Sequence, residues 1–349
     1  MTIKSRLAPL LFASSCLFSA VTYAQVASNQ SPERDVSFET YVESLKQQAA
    51  EKGYSKQLID SAFSKVKYHK RAVAADRSQP ESVETLETYL PKRVPDWKVE
   101  KAQQMLEKHG DELRKIGKEF GVQPRFIISL WALESNFGKI QGNYNVVSAL
   151  ATLAYDGRRE TFFKSQLFDA LEILKQGHID IEDMNGSWAG AMGHNQFMPS
   201  SFLAYAADGD KDGRKDIWNN TSDVFASIAN YLKKVGWNSD ITWARQVQLP
   251  EDFDYSLAIP QRTGGRKPWL KQWAKTEMKL SKWQQVGVRK FDGSDLPRVD
   301  IDAALVFPDG EEGRAYLAYD NYKSLMHWNL SYYFVTSVGH LADRIKFEQ

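Results

Sequence analysis

Glu134 is the residue of this chain whose type and surroundings most clearly predict chemistry. Apolar residues precede it at helical spacing, at Phe126, Leu130 and Trp131, so a helix would carry Glu134 on its core-facing side. Burial disfavours the charged form of a carboxyl group and raises its pKa, as proton donation near neutral pH requires. The alternative interpretation is a helix-terminal glutamate that reaches water, with Gly138 as the helix stop.

A second segment, residues 187–200, favours the interpretation of Glu134 as a catalytic acid. Glycines recur in and beside this segment, which indicates backbone that is approached closely. The interleaved side chains of Trp188, Gln196 and Phe197 can stack on a sugar and hydrogen-bond to it. A carboxyl acid combined with aromatic and amide side chains is typical of a site that cleaves glycans.

The segment 208–214 predicts a cation site. Acidic residues occupy loop positions one, three and five (Asp208, Asp210 and Asp212), and Gly213 follows at position six. Arg214, at position seven, is a further candidate ligand. This pattern opens a calcium loop of the EF-hand kind. The usual glutamate at position twelve is Asn219, so Asp216 or Asp223 would have to close the site. The alternative is an Asp- and Gly-rich surface turn; if calcium binds, we expect a structural role.

Most of the chain has the apolar spacing of helices. One such region runs from Val36 to about Tyr68, and Ser222 is a plausible helix cap. The other predicted helices are Ser82–Leu90, Val99–Phe120, Pro124–Phe137, Arg159–Gln176, Ser222–Val235 and Ser331–Phe347.

Between Thr242 and Tyr322 the pattern changes to alternating, β-branched or aromatic stretches. Strands are predicted at Thr242–Leu249, Trp283–Phe291 and Ala303–Phe307. We therefore expect an α+β fold that is mainly α. A catalytic unit would span residues 37–349, with a helical body at about 37–240 and 323–349 and a β-containing insertion at about 241–322.

The first 24 residues read as a secretory signal peptide. Lys4 and Arg6 precede an uncharged, mostly apolar stretch that ends at Ala24, too short to span a bilayer comfortably. Residues 25–36 are polar and read as a flexible leader. Cys16, the only cysteine of the 349 residues, lies in the signal, so a chain beginning at Gln25 would have no thiol and would suit an oxidising periplasm. The rival interpretation is lipidation of Cys16 and a tether to the outer membrane.

The charge balance gives no drive toward nucleic acid. The full chain has a net charge of plus one, and removal of the signal would take away two basic residues and no acidic one. The remaining chain, near neutrality, has no global attraction for a phosphate backbone. The 42% of hydrophobic residues instead predict a globular protein with one large core or two modest ones.

Three ordered motifs resemble one protein family. They are Glu-Ser-x-Phe-Gly at 134–138, the stretch 149–159 that ends in Arg158-Arg159, and the stretch 190–200 with Gly-Ala-Met-Gly-x-x-Gln-Phe-Met-Pro-Ser. Together they are similar to the lytic murein transglycosylases of the membrane-bound B type, from about residue 41 to near the C-terminus. The resemblance implies a lysozyme-like helical catalytic body with a small β-containing subdomain.

The resemblance also implies an activity. It is cleavage of the β-1,4 bond between N-acetylmuramic acid and N-acetylglucosamine in peptidoglycan without water, leaving a 1,6-anhydromuramic acid end. Glu134 would act as acid and then as base, with no catalytic cofactor. The residues alone leave two alternatives open: a lysozyme-type muramidase that uses Glu134 with water, and a secreted peptidoglycan-binding module without activity.

Substrate contacts are likewise implied by the resemblance. Arg158 and Arg159 would hold sugar or stem-peptide groups, and Ser187 would lie beside the reacting acetamido sugar. The other implied contacts are Tyr89, Gln196, Phe197, Met198, Tyr231 and Asn329, although several could equally be core residues. Phe334 stands where the family pattern has tyrosine, and Asp223 becomes the favoured closing ligand for calcium. We expect a monomer in the periplasm that binds glycan strands.

Overall fold

The computed structural model describes residues 36–78, 84–260 and 264–345. The predicted signal peptide, nearly all of the predicted leader, and Cys16 lie outside these ranges. None of the helices within them is long and apolar enough to cross a membrane.

The described chain up to residue 135 is helical. Side-chain caps begin two of the helices: Ser37 accepts from the Thr40 amide and Ser55 from the Leu58 amide. The helices are α1 (Phe38–Glu51), α2 (Lys56–Phe63), α3 (Lys70–Arg77), α4 (Leu86–Arg93), α5 (Asp96–Lys108), α6 (Gly110–Phe120) and α7 (Pro124–Ser135).

Helix α7 is the centre of the helical body. Pro124 opens it at the first turn, where the missing amide hydrogen costs nothing. Nearly every side chain from Phe126 to Ser135 is buried, because helices α5 and α6 pack on it together with later helices. A helix that is apolar on all sides belongs in a core, and this one places Glu134 at its C-terminal end.

The chain then adds a short two-stranded sheet and four helices to the body. Strands β1 (Tyr144–Asn145) and β2 (Asn185–Gly186) pair antiparallel. The helices are α8 (Val146–Asp156), α9 (Glu160–Lys175), α10 (Pro199–Tyr205) and α11 (Thr221–Lys234).

A five-stranded antiparallel sheet with two helices follows. Its strand order is β4-β6-β7-β3-β5. The elements are β3 (Ala244–Gln248), α12 (Arg266–Thr276), β4 (Met278–Lys279), α13 (Leu280–Gln285), β5 (Arg289–Lys290), β6 (Asp302–Val306) and β7 (Ala315–Ala318), with a short 3-10 turn at Tyr255–Leu257.

Both faces of this sheet are covered. Alternate residues of β6 point to opposite faces: Ala304 and Val306 join the core of the helical body, whereas Ala303 and Leu305 join a second, smaller core with Trp283. The chain returns to the body through α14 (Asp320–Trp328) and α15 (Tyr332–Arg344). Helix α15 packs on α7 and α4.

The predicted fold class is confirmed, and several predicted elements need correction. The predicted helix Val99–Phe120 is two helices, because a turn at His109 separates α5 from α6. The predicted strand Trp283–Phe291 is wrong: α13 occupies its first part, Gly287 turns the chain with a φ of +91°, and only β5 is extended. Ser222 is not a cap; its amide donates to the Asn220 side chain, which caps α11.

Candidate active site

Glu134 lies in the last turn of α7 and is only 8% exposed. Its carboxylate Oε1 accepts a hydrogen bond of 2.6 Å from the indole Nε1 of Trp328. Burial raises the pKa of Glu134 to about 8, and the bond from Trp328 opposes that rise. A carboxyl group with such a pKa holds a proton at neutral pH and can also give it up, which general acid and base catalysis requires.

The pKa of Glu134 is raised for a different reason than in sites with two neighbouring carboxylates. Within the described part of the chain, no second carboxylate is among the causes of the raised pKa. The phenols of Tyr89 on α4 and Tyr231 on α11 do interact electrostatically with Glu134. Burial raises the pKa of both phenols above its usual value, so both remain protonated where Glu134 titrates.

Trp328 is the functional residue that sequence reasoning missed. It ends α14, and its ring packs on Phe197 and Tyr231 at centroid distances of 5.3 and 4.6 Å. It is 194 residues from Glu134 in the sequence, so no local spacing connects the two. Trp328 could have been suspected from the sequence only because it directly precedes Asn329, which the resemblance implies is a substrate contact.

Backbone strain is concentrated around Glu134. Asn136, Phe137 and Gln196 have positive φ angles of 50°, 60° and 49°, a region that residues with side chains rarely adopt. Asn136 ends α7 in this conformation. Gln196 is held by hydrogen bonds from its Nε2 to the carbonyls of Gln141 (3.1 Å) and Gly193 (2.8 Å). Such strain persists where the surroundings fix it, often at functional sites.

Ser187 lies on a turn that contacts the loop following Glu134. Its Oγ accepts from the Ala191 amide at 3.1 Å, and its own amide donates to the Ala191 carbonyl at 2.8 Å. A Cβ on Gly142 would lie 2.0 Å from the Gly186 carbonyl oxygen. The Ser187 turn and the loop after α7 are therefore in direct backbone contact.

The glycines around Ser187 serve the protein's own packing. A Cβ on Gly190 would lie 2.6 Å from Leu150, and one on Gly193 would lie 2.5 Å from the Ile217 carbonyl oxygen. The close approach inferred from the sequence is real, but at these positions the approaching groups belong to the protein.

Phe197 and Met198 follow Gln196 and are almost fully buried. The Phe197 ring packs on Tyr231, with 5.7 Å between centroids. Asn329 follows Trp328 and caps α14, its amide donating to the Leu325 carbonyl. Four of these predicted contacts, Phe197, Met198, Tyr231 and Asn329, thus lie on or beside the elements that hold Trp328.

Tyr89, another predicted contact, is buried, with 6% of its surface exposed. Its ring lies 5.2 Å from the ring of Tyr333. The Tyr333 hydroxyl has two acceptors within hydrogen-bond distance, the Asp309 carboxylate and the Glu84 carbonyl. It therefore has local partners and does not substitute for a hydroxyl at Phe334.

Arg158 and Arg159 are not free to serve only a ligand. Both guanidinium groups bond to the carboxylate of Asp76, which is buried, with 2% of its surface exposed. Arg159 also lies over the Phe163 ring at 4.7 Å. Their side chains nevertheless remain 47% and 23% exposed. Structural pairing therefore accounts for much of their placement, and the predicted sugar contacts stay predictions.

His194 supports the site by packing. Its Nδ1 accepts a hydrogen bond of 3.0 Å from the Trp131 indole. A Cβ on Gly138 would lie 2.2 Å from the His194 ring, so this glycine lets the ring fit beneath the loop that follows Glu134. The histidine thereby fixes the C-terminal end of α7.

The acidic loop brings together three of the predicted metal ligands. Oxygens of Asp208, Asp210 and Asp212 lie within 4.8 Å of one another. Asp208 accepts from the amides of three residues that follow it in the loop: Lys211, Asp212 and Gly213. This folding of the loop onto its first carboxylate is what the spacing predicted.

Asp223 and Arg214 do not complete the cluster with their side chains. Asp223 is fully buried, and its two oxygens accept from the amides of Gly209 and Asp216 at 2.7 and 2.6 Å. The Arg214 guanidinium points to the His178 carbonyl at 3.4 Å. In this arrangement Asp223 supports the loop from behind, and its role as the closing ligand stays a prediction.

Comparison with known proteins places these features in context. The family model described as Transglycosylase SLT domain matches residues 37–343. Membrane-bound lytic murein transglycosylase B of Escherichia coli strain K12 is 37% identical over 128 residues, which are 36% of this chain and 35% of the relative. The aligned part thus spans about a third of that relative's length.

Solved structures match over most of the chain. SltB3 from Pseudomonas aeruginosa, in complex with NAG-anhNAM-pentapeptide, is 38% identical with a TM-score of 0.82 and covers 88% of this chain and 79% of its own. SltB1 from the same organism is 27% identical with a TM-score of 0.73 and covers 88% and 98%. Slt35 of Escherichia coli in complex with calcium, 24% identical with a TM-score of 0.71 and covering 87% and 92%, shares the fold.

Proposed function

Because this chain belongs to the transglycosylase SLT domain family, we propose that it is a lytic transglycosylase of peptidoglycan. It cleaves the β-1,4 bond between N-acetylmuramic acid and N-acetylglucosamine and leaves a 1,6-anhydromuramic acid end. The observation that carries this proposal is the buried Glu134 carboxyl, whose pKa of about 8 suits one group to both proton transfers.

In the first step Glu134 is the acid. Its carboxyl proton passes to the glycosidic oxygen as the bond to the muramic C1 breaks, so N-acetylglucosamine leaves with a free hydroxyl. The substrate's own acetamido carbonyl stabilises the positive charge at C1, and Ser187 orients that group. The hydrogen bond from Trp328 stabilises the carboxylate that forms.

In the second step the Glu134 carboxylate is the base. It takes the proton from the muramic C6 hydroxyl while that oxygen bonds to C1. The product is the anhydro sugar, and the enzyme returns to its protonated state without consuming water. One residue is sufficient because the acceptor hydroxyl is part of the substrate.

This scheme agrees with the surroundings of Glu134. Ordinary glycosidases need a second carboxylate as nucleophile or base. Asp156 and Glu160, the acidic residues nearest to the two arginines in sequence, are engaged elsewhere: Asp156 pairs with Arg77, and Glu160 accepts from Tyr41. SltB3, the similar protein solved with an anhydro-sugar peptide, supports the same product here.

The substrate is held by groups around Glu134. Gln196 supplies an amide, Tyr89 supplies an aromatic face, and Tyr231 and Asn329 are polar groups of the far wall. Phe197 and Met198 form an apolar support beneath the sugar, and Arg158 and Arg159 extend the site toward the stem peptide while they remain paired with Asp76. These assignments come from the family resemblance. They are supported by the electrostatic interactions of Tyr89 and Tyr231 with Glu134 and by the packing of Phe197 on Trp328.

Calcium is a proposed structural ligand. The carboxylates of Asp208, Asp210 and Asp212 fit a hard cation, because three oxygens converge and repel one another without one. Asp223 fastens the loop to α11 through the Gly209 and Asp216 amides, and Arg214 would contribute its backbone. The ion would lock this loop and takes no part in the reaction.

The protein acts on glycan strands in the periplasm, as a monomer. The signal-like residues 1–24 support export, and the alternative of a lipid tether at Cys16 places the same activity at the outer membrane. The near-zero net charge provides no global attraction for nucleic acid.

The activity is tested with purified peptidoglycan. The protein should release soluble muropeptides without producing new reducing ends, because C1 is closed by the C6 oxygen. Glu134→Gln, which keeps the size and an acceptor for Trp328, should release none. Release with one new reducing end per cleavage would identify a muramidase instead, and binding without release would identify a glycan-binding module.

A further inference from the structure

We propose that Arg266, at the start of α12, is a positioning residue that holds Trp328 against Glu134. It acts through the backbone carbonyl of His327. This inference rests on the proposed function, since it concerns the same catalytic acid, and it adds a residue to that site from the sheet-containing part of the chain.

Two donors converge on the His327 carbonyl oxygen. The Arg266 Nη2 donates to it at 2.5 Å, and the Tyr231 hydroxyl donates to it at 2.9 Å. The next residue in the chain is Trp328, whose indole donates to Glu134. The position of this carbonyl therefore sets the position of the indole.

These bonds matter because helix α14 ends at this point. The last carbonyls of a helix have no partner within the helix, and an external donor both satisfies and fixes them. Here a cavity of about 330 Å³ lies against Met326 and His327, with Arg266 in its wall. Packing is thus incomplete on that side of α14, where the hydrogen bonds to the His327 carbonyl hold the end of the helix.

The His327 side chain completes the arrangement. Burial, and then the positive charge of Arg266, lowers its pKa to about 4, so the ring is neutral at physiological pH. A neutral ring with its proton on Nδ1 donates to the Tyr231 oxygen at 2.9 Å, while the Tyr231 hydroxyl donates to the carbonyl. The His327 ring, the Tyr231 hydroxyl and the His327 carbonyl then each have a hydrogen-bond partner. None of the three changes its charge near neutral pH.

The Arg266 guanidinium bonds to the His327 carbonyl across two helices. Arg266 opens α12 after Gly265, without a side-chain cap, and its Nη2 bond to His327 reaches from α12 to α14. The neighbouring Lys267 on the same helix is exposed. Loss of the Arg266 guanidinium should therefore free the end of α14, whereas loss of the Lys267 charge should not.

The test compares Arg266→Met with the control Lys267→Met by kcat, KM and pH profile on peptidoglycan. Arg266→Met should lower kcat on the order of tenfold with a smaller change in KM, since a loosened Trp328 impairs the chemical step. Because the Trp328 bond lowers the pKa of Glu134, its weakening should also move the alkaline fall in activity to higher pH. Arg266→Lys, which keeps one donor, should be intermediate, and Lys267→Met should match the wild type.

A double-mutant cycle separates positioning from general destabilisation. If Arg266 acts through Trp328, adding Arg266→Met to Trp328→Phe should change kcat little further. Full additivity of the two effects, or an unchanged kcat and pH profile in Arg266→Met, would overturn the inference. A poorly folded Arg266→Met would leave Arg266→Lys to decide in the same cycle.

Failure of the proposed function would be recognised separately. It would appear as a wild-type protein that releases no anhydro products. In that case, carboxyl titration of carbon-labelled Glu134 by NMR, in the wild type and in Arg266→Met, still tests the contact. A higher Glu134 pKa in the variant supports the positioning role, and an identical pKa refutes it.

Discussion

Two opposing effects act on the carboxyl group of Glu134. Burial raises its pKa, and the Trp328 indole lowers it by stabilising the charged form. The resulting pKa of about 8 lies close enough to neutral pH for the two proton transfers of the proposed mechanism, one to the leaving oxygen and one from a sugar hydroxyl. In the proposed mechanism, the environment of this one residue replaces the usual pair of carboxylates.

This balance predicts how stability depends on pH. The folded-state pKa lies above the ordinary value of 4.5, so the folded protein holds the Glu134 proton more tightly than the unfolded chain. The stability linked to this group is fully present below about pH 4.5 and is lost as the pH rises to about 8. Glu134→Gln has no ionisable group at this position and avoids this loss. Its free energy of unfolding at pH 7 should be higher than that of the wild type by on the order of 3 kcal/mol.

Thermal melting of both proteins at several pH values checks this expectation. The variant should melt at a higher temperature than the wild type at pH 8, and the difference should shrink toward pH 4.5. An equal difference at both pH values, or a more stable wild type at pH 8, would show that Glu134 is not a buried acid with a raised pKa.

The position of Glu134 on the core-facing side of a helix could be predicted because the helical spacing of apolar residues is a local property of the sequence. Trp328 could not, since it reaches Glu134 only when α14 returns across the body. For Arg158 and Arg159 the resemblance identifies the residues, but the sequence does not show their partner. Only the structure reveals that the Asp76 carboxylate bonds to both.

At the scale of elements, the site depends on short segments that pack tightly behind it. The Ser187 turn contains Gly190, with a φ of +85° and Leu150 directly against it. Glycine is needed at position 190 for two reasons: its positive φ, and the lack of space for a Cβ beside Leu150. The sequence signalled the tight backbone but not the identity of the group that approaches it.

Replacement of Gly190 by alanine should therefore be costly. Gly53→Ala is a matched control, because Gly53 has a similar φ of +83° but open space around it. The control should lose about 1 kcal/mol of unfolding free energy from backbone strain alone. Gly190→Ala should lose about 2 kcal/mol more, because Leu150 is buried and cannot move freely. Chemical denaturation measures both, and equal losses would show that packing against Leu150 is unimportant.

The acidic loop predicts stabilisation by calcium. At about a hundredfold excess over its Kd, the ion should add about 2.7 kcal/mol to the free energy of unfolding. Asp212→Asn keeps the acceptor for the Arg214 amide but removes one charge, so calcium should stabilise this variant much less. Asp252→Asn, at an exposed turn elsewhere, is the control and should respond like the wild type.

Melting curves with and without calcium, together with calorimetric titration, test the loop. No heat and no shift in the wild type would contradict calcium binding. An equal shift in Asp212→Asn would place the ion elsewhere.

Element prediction failed where local pattern and tertiary packing conflict. Residues 283–291 alternate like a strand, yet Leu280 and Trp283 bury the same face of a short helix until Gly287 turns the chain. Helix α12 was missed within the predicted insertion, because an isolated helix in a strand-rich region has little periodic context.

On the scale of the whole molecule, the sheet-containing part and the helical body share one core. One face of the sheet contributes Ala304 and Val306 to the core of the body. Trp269 of α12 reaches the Tyr332 hydroxyl at the start of α15 with a bond of 2.7 Å. The predicted boundary near residue 241 thus separates two patterns of sequence, while packing joins them. The contact between Arg266 and His327 is one consequence of that joining.

The most direct test of the central claim is the mass of the products formed in water enriched in the heavy oxygen isotope. If Glu134 acts as acid and base without water, the released muropeptides are lighter by one water than hydrolysis products and carry no heavy oxygen, and Glu134→Gln releases none. Products with reducing ends that contain heavy oxygen would show that water attacks C1, and would contradict the account.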